Sequence, residues 1–111
     1  MKIVNLTQFL EMPDNTLFSK FAPCYFEGLQ IKVCNTGERD FCTQEIADAI
    51  EAKDSGEFCD KLDDSLANGT SVAMDFDCNG RDGCFNDDQL FAVYERADIE
   101  GMIELLKRCL K

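Results

Sequence analysis

A chain of 111 residues with 22 Asp or Glu, 11 Lys or Arg, no His and no Trp carries a formal charge of -11. That length holds one domain, residues 1–111, and a 45% hydrophobic fraction with nine Phe excludes a disordered acidic tail. No apolar run approaches the roughly 20 residues that cross a bilayer, the start MKIVNLTQFLEM has no basic-then-apolar leader, and the acidity opposes contact with phosphate backbones or anionic lipid, so the expectation is a soluble cytoplasmic protein with no direct nucleic-acid or membrane partner.

Thr7 reads as the N-cap of a short helix, Gln8 to Met12, which Pro13 closes because the residue before proline is forced out of helical geometry. Pro13-Asp14-Asn15 forms a turn. Strand-like runs follow at residues 16–21, 24–27 and 29–34, separated by Pro or Gly, the last alternating Leu29, Ile31 and Val33 against Gln30 and Lys32. Asn35-Thr36-Gly37 turns the chain into a further strand around Asp40 to Ile46. Asp54-Ser55-Gly56-Glu57 has the capping-box pattern and opens a helix with Phe58, Leu62 and Leu66 on one stripe, Glu57, Asp60, Asp63 and Asp64 opposite, and Asn68-Gly69 at its end. Residues 70–76 and 89–94 read as strands joined by the acidic connection Asp77 to Asp88. In the last segment Ile99, Met102, Ile103, Leu106 and Leu110 recur at helical spacing, with Asp98 and Glu100 in the first turn and Lys107, Arg108 and Lys111 in the last, matching the helix dipole. The order helix-strand-strand-strand-helix-strand-strand-helix predicts an α+β fold: a small single domain with an antiparallel sheet of about five strands and helices packed on one face.

Seven cysteines, with no CxxC pair and no His beside them, do not have the paired spacing of a zinc site, and the expectation is buried, reduced thiols. Asp75-Phe76-Asp77-Cys78-Asn79-Gly80 matches the first half of an EF-hand calcium loop, with Asp75, Asp77 and Asn79 as candidate ligands. Position 12 is Asn86 instead of the bidentate Glu, so a turn in a connecting loop is the stronger reading and no cofactor is expected. A cysteine nucleophile has no imidazole base to serve it, and chance carboxylate pairs are inevitable among 22 acids, so a non-enzymatic protein is expected.

The charge is regional. Residues 38–64 hold ten acids and three bases and residues 75–88 hold five acids and one base, so two segments with excesses of seven and four contain the whole imbalance. Duplex DNA carries one charge per about 1.7 Å of axis, so eleven charges correspond to about 19 Å of duplex, enough to fill part of a Lys- and Arg-lined groove. The candidate partner-binding residues are Asp48, Glu51, Asp54, Glu57, Asp60, Asp63, Asp64, Asp82, Asp87 and Asp88.

The segments MKIVNLTQFLEMPDNTLFSKFAPCYFEGLQIK and TSVAMDFDCNGRDGCFNDDQLFAVYERADIEGMIELL, with GRDG and DQLFAVYE as their distinctive parts, resemble a family of small acidic accessory proteins of tailed phages and prophages. The resemblance implies an accessory protein acting in a bacterial cytoplasm and carries over no catalytic residue. By analogy with other small acidic phage proteins it implies an anti-CRISPR-like inhibitor of host defence, a DNA mimic whose partner is an effector complex with a basic nucleic-acid-binding groove. Two alternatives stand beside it: a metal- or ligand-binding module built on the Asp75 to Asp88 loop, and a phage regulatory or accessory protein that pairs through a sheet edge or the C-terminal helix.

Overall fold

A computed structural model describes residues 1–111, and its elements run β1 (Lys2–Asn5), α1 (Leu6–Glu11), β2 (Thr16–Ala22), β3 (Tyr25–Asn35), β4 (Phe41–Glu45), α2 (Ser55–Asn68), β5 (Asn79–Arg81), β6 (Leu90–Val93) and α3 (Arg96–Arg108). The six strands form one antiparallel sheet in the order β1-β6-β2-β3-β4-β5, so the α+β class holds while the strand count and element order differ from the expectation. None of the three helices is long and apolar enough to cross a membrane.

Each departure has a local cause. The opening segment Lys2–Asn5 is a strand, pairing with Leu90–Val93, and Asn5 in place of Thr7 caps α1: its side chain accepts the Gln8 amide at 2.8 Å while the Gln8 side chain accepts the Asn5 amide at 2.9 Å. The runs at 24–27 and 29–34 are one strand, because Gly28 adopts φ 67° and is accommodated as a bulge. The β2–β3 register accordingly slips between Phe18–Gln30 and Lys20–Glu27. Residues 70–76 do not join the sheet. They make a single bridge, Ile50 to Met74, flanked by hydrogen bonds from Glu51 to Ala73 and from Asp75 to Ala49, and the strand of this region is the short Asn79–Arg81 edge instead.

The core is aromatic and small. Phe9 of α1 stacks on Phe91 with centroids 4.0 Å apart and meets Phe18 and Phe41 edge-on at 4.7 and 4.9 Å, with Val4, Leu6 and Val93 completing the cluster. A six-residue helix is far too short to persist alone. Its C-terminal carbonyls are held by Lys32, a β3 residue on the same sheet face, whose ammonium donates to the carbonyls of Phe9, Leu10 and Met12 at 3.3, 3.1 and 2.7 Å. Lys32 is 1% exposed, and this burial pushes its pKa below the ordinary lysine range.

The expected packing of all helices on one face is not found. Only α1 enters the core; α2 and α3 contribute no buried residue. α3 follows Tyr94, whose hydroxyl shares a 2.8 Å hydrogen bond with Ser19, a residue next to Phe18 and so directed to the opposite sheet face. The amphipathic pattern forecast both helices correctly but not what covers their apolar stripes. The buried-thiol expectation also fails: Cys24, Cys59, Cys84 and Cys109 are exposed and Cys34, Cys42 and Cys78 half-buried, because most lie in turns, at helix surfaces or on the sheet face away from Phe41. The accessible surface, 7726 Å², exceeds the roughly 6,200 Å² of a compact chain of this mass, and the radius of gyration, 16.0 Å, exceeds about 13 Å.

Truncating Phe9 to alanine therefore removes the centre of the core and lowers unfolding free energy by about 3–5 kcal/mol. Tyr25→Ala, at the exposed tip of the β2–β3 hairpin, stays within about 0.5 kcal/mol. Urea unfolding midpoints compare the two, and equal losses would contradict this placement of the core.

Candidate functional site

Helix α2 starts where Asp54 accepts the Glu57 amide at 2.7 Å and stops at Gly69, whose φ of 71° is the left-handed geometry of a C-terminal cap. The reciprocal arm of a capping box is not made, because the Glu57 carboxylate is engaged by Lys61 at 3.1 Å and Lys53 at 3.7 Å. Those are the only ion pairs on the helix. Asp60 and Asp63 are exposed without a cation, and Asp64 accepts from the Asn68 amide at 2.7 Å; hydrogen bonds from Asn68 and then Thr70 hold its carboxyl below the usual carboxylate range. On the other side of the helix Phe58, Leu62 and Leu66 are solvent-exposed, Leu66 at 88%.

The chain leading into α2 shapes a cleft of about 440 Å³ against the sheet. Glu27, Glu45 and Asp48 line it with Phe58 and Ile50. Asp48 reaches its position through a left-handed backbone, φ 68°, which Asp tolerates better than most side chains. Lys20 is the one cation at the cleft, and its ammonium is already bound to Asp82 at 2.6 Å. Burial alone would lower the Lys20 pKa, but the hydrogen bond and charge of Asp82 outweigh it and raise the pKa above the ordinary range. The Glu45 carboxylate accepts from the Gln30 side-chain amide, so what remains open in the cleft is the carboxylates of Glu27 and Asp48 with the Phe58 ring, suited to a cationic side chain.

The second acidic segment is differently arranged. Asp82, Asp87 and Asp88 were expected to face a partner, yet Asp82 pairs with Lys20 and Asp87 with Arg39, which also donates to the Phe85 carbonyl at 3.3 Å. Of the three only Asp88 has no cation. Asp40 is the anchor of this loop. At 1% exposure it accepts from the Arg81 guanidinium and, at 2.9 Å, from the Gly83 amide. Burial pushes the Asp40 pKa up, but the hydrogen bonds from Arg81 and from the Gly83 and Phe41 amides prevail and hold it below the usual range. Three ion pairs thus fix the connection from β5 to β6, and what they hold outward includes Phe85 at 47% exposure, its ring 5.3 Å from the Arg81 guanidinium.

The sequence reading missed Asp40, Arg81, Lys20 and Arg39 as a pairing set because counting charge along the chain does not reveal partners more than forty residues apart. Of the other expected residues, Glu51 is exposed and its carbonyl accepts from Lys61. The calcium-like motif forms a turn: Asp75 accepts the Asp77 amide at 2.8 Å, Asn79 donates to the Asp77 carbonyl at 3.0 Å, and Asn79 then enters β5 opposite Gln44. No three His, Cys, Asp or Glu side chains gather as a cation site. Comparison with protein-family models, with curated proteins and with solved structures gives no match to this chain.

Because the folded-state pKa of Asp40 is depressed, its contribution to stability is complete above the unfolded value of about 3.9 and disappears as pH falls through the lower folded value. Asp40→Asn is expected to cost about 2 kcal/mol at neutral pH and to narrow its deficit toward pH 2. Thermal unfolding of both chains from pH 7 downward measures this; a constant deficit would show that ionised Asp40 does not hold the loop.

Proposed function

We propose that this protein is a non-enzymatic inhibitor of a bacterial defence complex, of the phage-encoded, anti-CRISPR-like kind, that works by seating the acidic side of α2 and the adjoining cleft in a basic nucleic-acid-binding groove. The observation that carries the reading is the contrast between the two acidic segments. In the loop segment Asp82 and Asp87 are neutralised by Lys20 and Arg39, and Arg81 is spent on buried Asp40, whereas Asp60, Asp63 and Asp64 project from one side of a helix with no cation beside them. Unpaired, exposed carboxylates cost stability through mutual repulsion and contribute nothing to the core, which is the expected signature of charge retained for a partner. From Asp60 to Asp64 they are spread along about 6 Å of helix axis, a length over which duplex DNA carries three or four charges. The carboxylates of Glu27, Glu45 and Asp48 in the cleft extend the same field and give an inserted Lys or Arg a pocket with Phe58 on its wall.

The resemblance to small acidic phage proteins supports the setting, a bacterial cytoplasm, and the charge distribution supports the partner's chemistry. The binding surface in this reading is narrower than the full acidic list: Asp48, Asp60, Asp63 and Asp64 lead, with Glu51 and Asp88 peripheral, while Asp54 and Glu57 serve the helix itself and Asp82 and Asp87 hold the loop.

The test is capture from bacterial lysate on the immobilised protein. Nucleic-acid-binding complexes are expected to be retained at about 0.05 M salt and released by about 0.5 M, where the screening length falls to a few ångströms. Asp60→Lys with Asp63→Lys, neither of which holds another side chain, should lower retention at least tenfold while leaving the circular dichroism spectrum unchanged. Retention unaffected by that reversal overturns the reading.

A further inference from the structure

We infer that the outer face of α3 pairs two copies of this chain, antiparallel, about a two-fold axis that crosses the helix between Glu104 and Leu105. Ile99, Ile103, Leu106 and Leu110 fall within one narrow sector of the helix and its following turn, at spacings of four, three and four residues. That pattern reads the same in both directions. Reversed against itself, it sets Ile103 opposite Leu106 and Ile99 opposite Leu110, with each contact repeated by symmetry, as an isologous interface requires. Ile99 is half-buried, but Ile103, Leu106 and Leu110 are 47, 67 and 87% exposed, a degree of apolar exposure that a solitary acidic domain does not explain.

Charge selects a second copy over an unlike partner. Residues 95–111 contain four acids and four bases and are neutral, although the chain carries -11. Three of the four acids lie within residues 95–100 and three of the four bases within 107–111, so antiparallel pairing brings Glu100, bound in its own helix to Arg96 at 2.8 Å, alongside Lys107, bound to Glu104 at 3.0 Å, where parallel pairing would set like against like. An unlike basic protein would be drawn to α2 instead. This inference rests on α3 alone and is independent of what α2 binds.

Sedimentation equilibrium of the full chain at roughly 50 µM is the experiment, expected to give a species of about 25 kDa that dissociates toward 12.5 kDa on dilution. Ile103→Glu with Leu106→Glu should sediment as the monomer with unchanged circular dichroism, and Leu110→Glu, which lies beyond the helix and keeps the backbone amide that donates to the Lys107 carbonyl, should weaken association at least tenfold. Lys107→Glu should weaken it several-fold at low salt, and adding Glu100→Lys should restore it. The Asp60→Lys, Asp63→Lys chain should remain dimeric. A wild-type chain that stays at 12.5 kDa across the concentration range, or a Leu110→Glu chain that associates as the wild type does, overturns the inference; failure of Glu100→Lys to restore the Lys107→Glu chain overturns the antiparallel arrangement.

Discussion

The ammonium of Lys32 beneath the end of α1 is the interaction on which the fold depends. A chain of this size has room for a modest core, and this one concentrates it in Phe9 and the three phenylalanines stacked on it or set edge-on to it. Phe9 sits on a helix of six residues, which survives only because both ends are satisfied: Asn5 and Gln8 at the start, and Lys32 at the finish. A buried ammonium without a carboxylate is costly, as its lowered pKa records, but the C-terminal carbonyls of a helix supply partial negative charge where it is required. Removing that charge would leave three carbonyls facing an apolar cluster. The expense is accepted at the one place where a short helix must be fixed to a sheet.

Fixing α1 in this way has a consequence for the rest of the chain. With α1 over one sheet face and the β5–β6 connection clasped by Lys20, Arg39 and Arg81, the Phe9 cluster is closed without help from the longer helices. α2 and α3 contribute nothing to that cluster, and both keep much of their apolar stripes in solvent. The large surface and radius of gyration belong to that division of labour between a small closed core and two outward helices. Preorganised helices of this kind lose little conformational entropy when they dock, which favours recognition surfaces built on them over surfaces built on loops.

The helices and most strands were legible in the sequence because periodicity and caps are local signals. Asp54 and Gly69 bound α2 as their chemistry dictates, and the apolar recurrence from Ile99 onward marks α3. The first strand was not, since Lys2–Asn5 gains its identity from Leu90–Val93, nearly the full chain away. Gly28 was read as a break and is a bulge, a distinction decided by the partner strand. The same limit applies to the site. Charge density along the chain pointed to both acidic segments, and in each of them some acids prove to belong to a structural clasp, because Asp40 and Arg81, or Lys20 and Asp82, meet only when the sheet has formed. The helix acids were legible because helical geometry alone sets them on one side.

The two outward helices differ in kind, and the difference bears on how they could act together. The field of α2 decays with ionic strength, whereas the apolar row of α3 is insensitive to salt or favoured by it, so association of two copies and capture of a basic partner would respond oppositely to the same change of buffer. Pairing through α3 would present two copies of the α2 field on one particle. Engagement of the first copy would then raise the effective concentration of the second at a neighbouring site, and modest single-helix attraction would become avidity wherever a groove or a multisubunit complex repeats its basic surface. A neutral α3 within a strongly acidic chain is consistent with that arrangement, because charge placed there would set the two copies against each other before either met a partner.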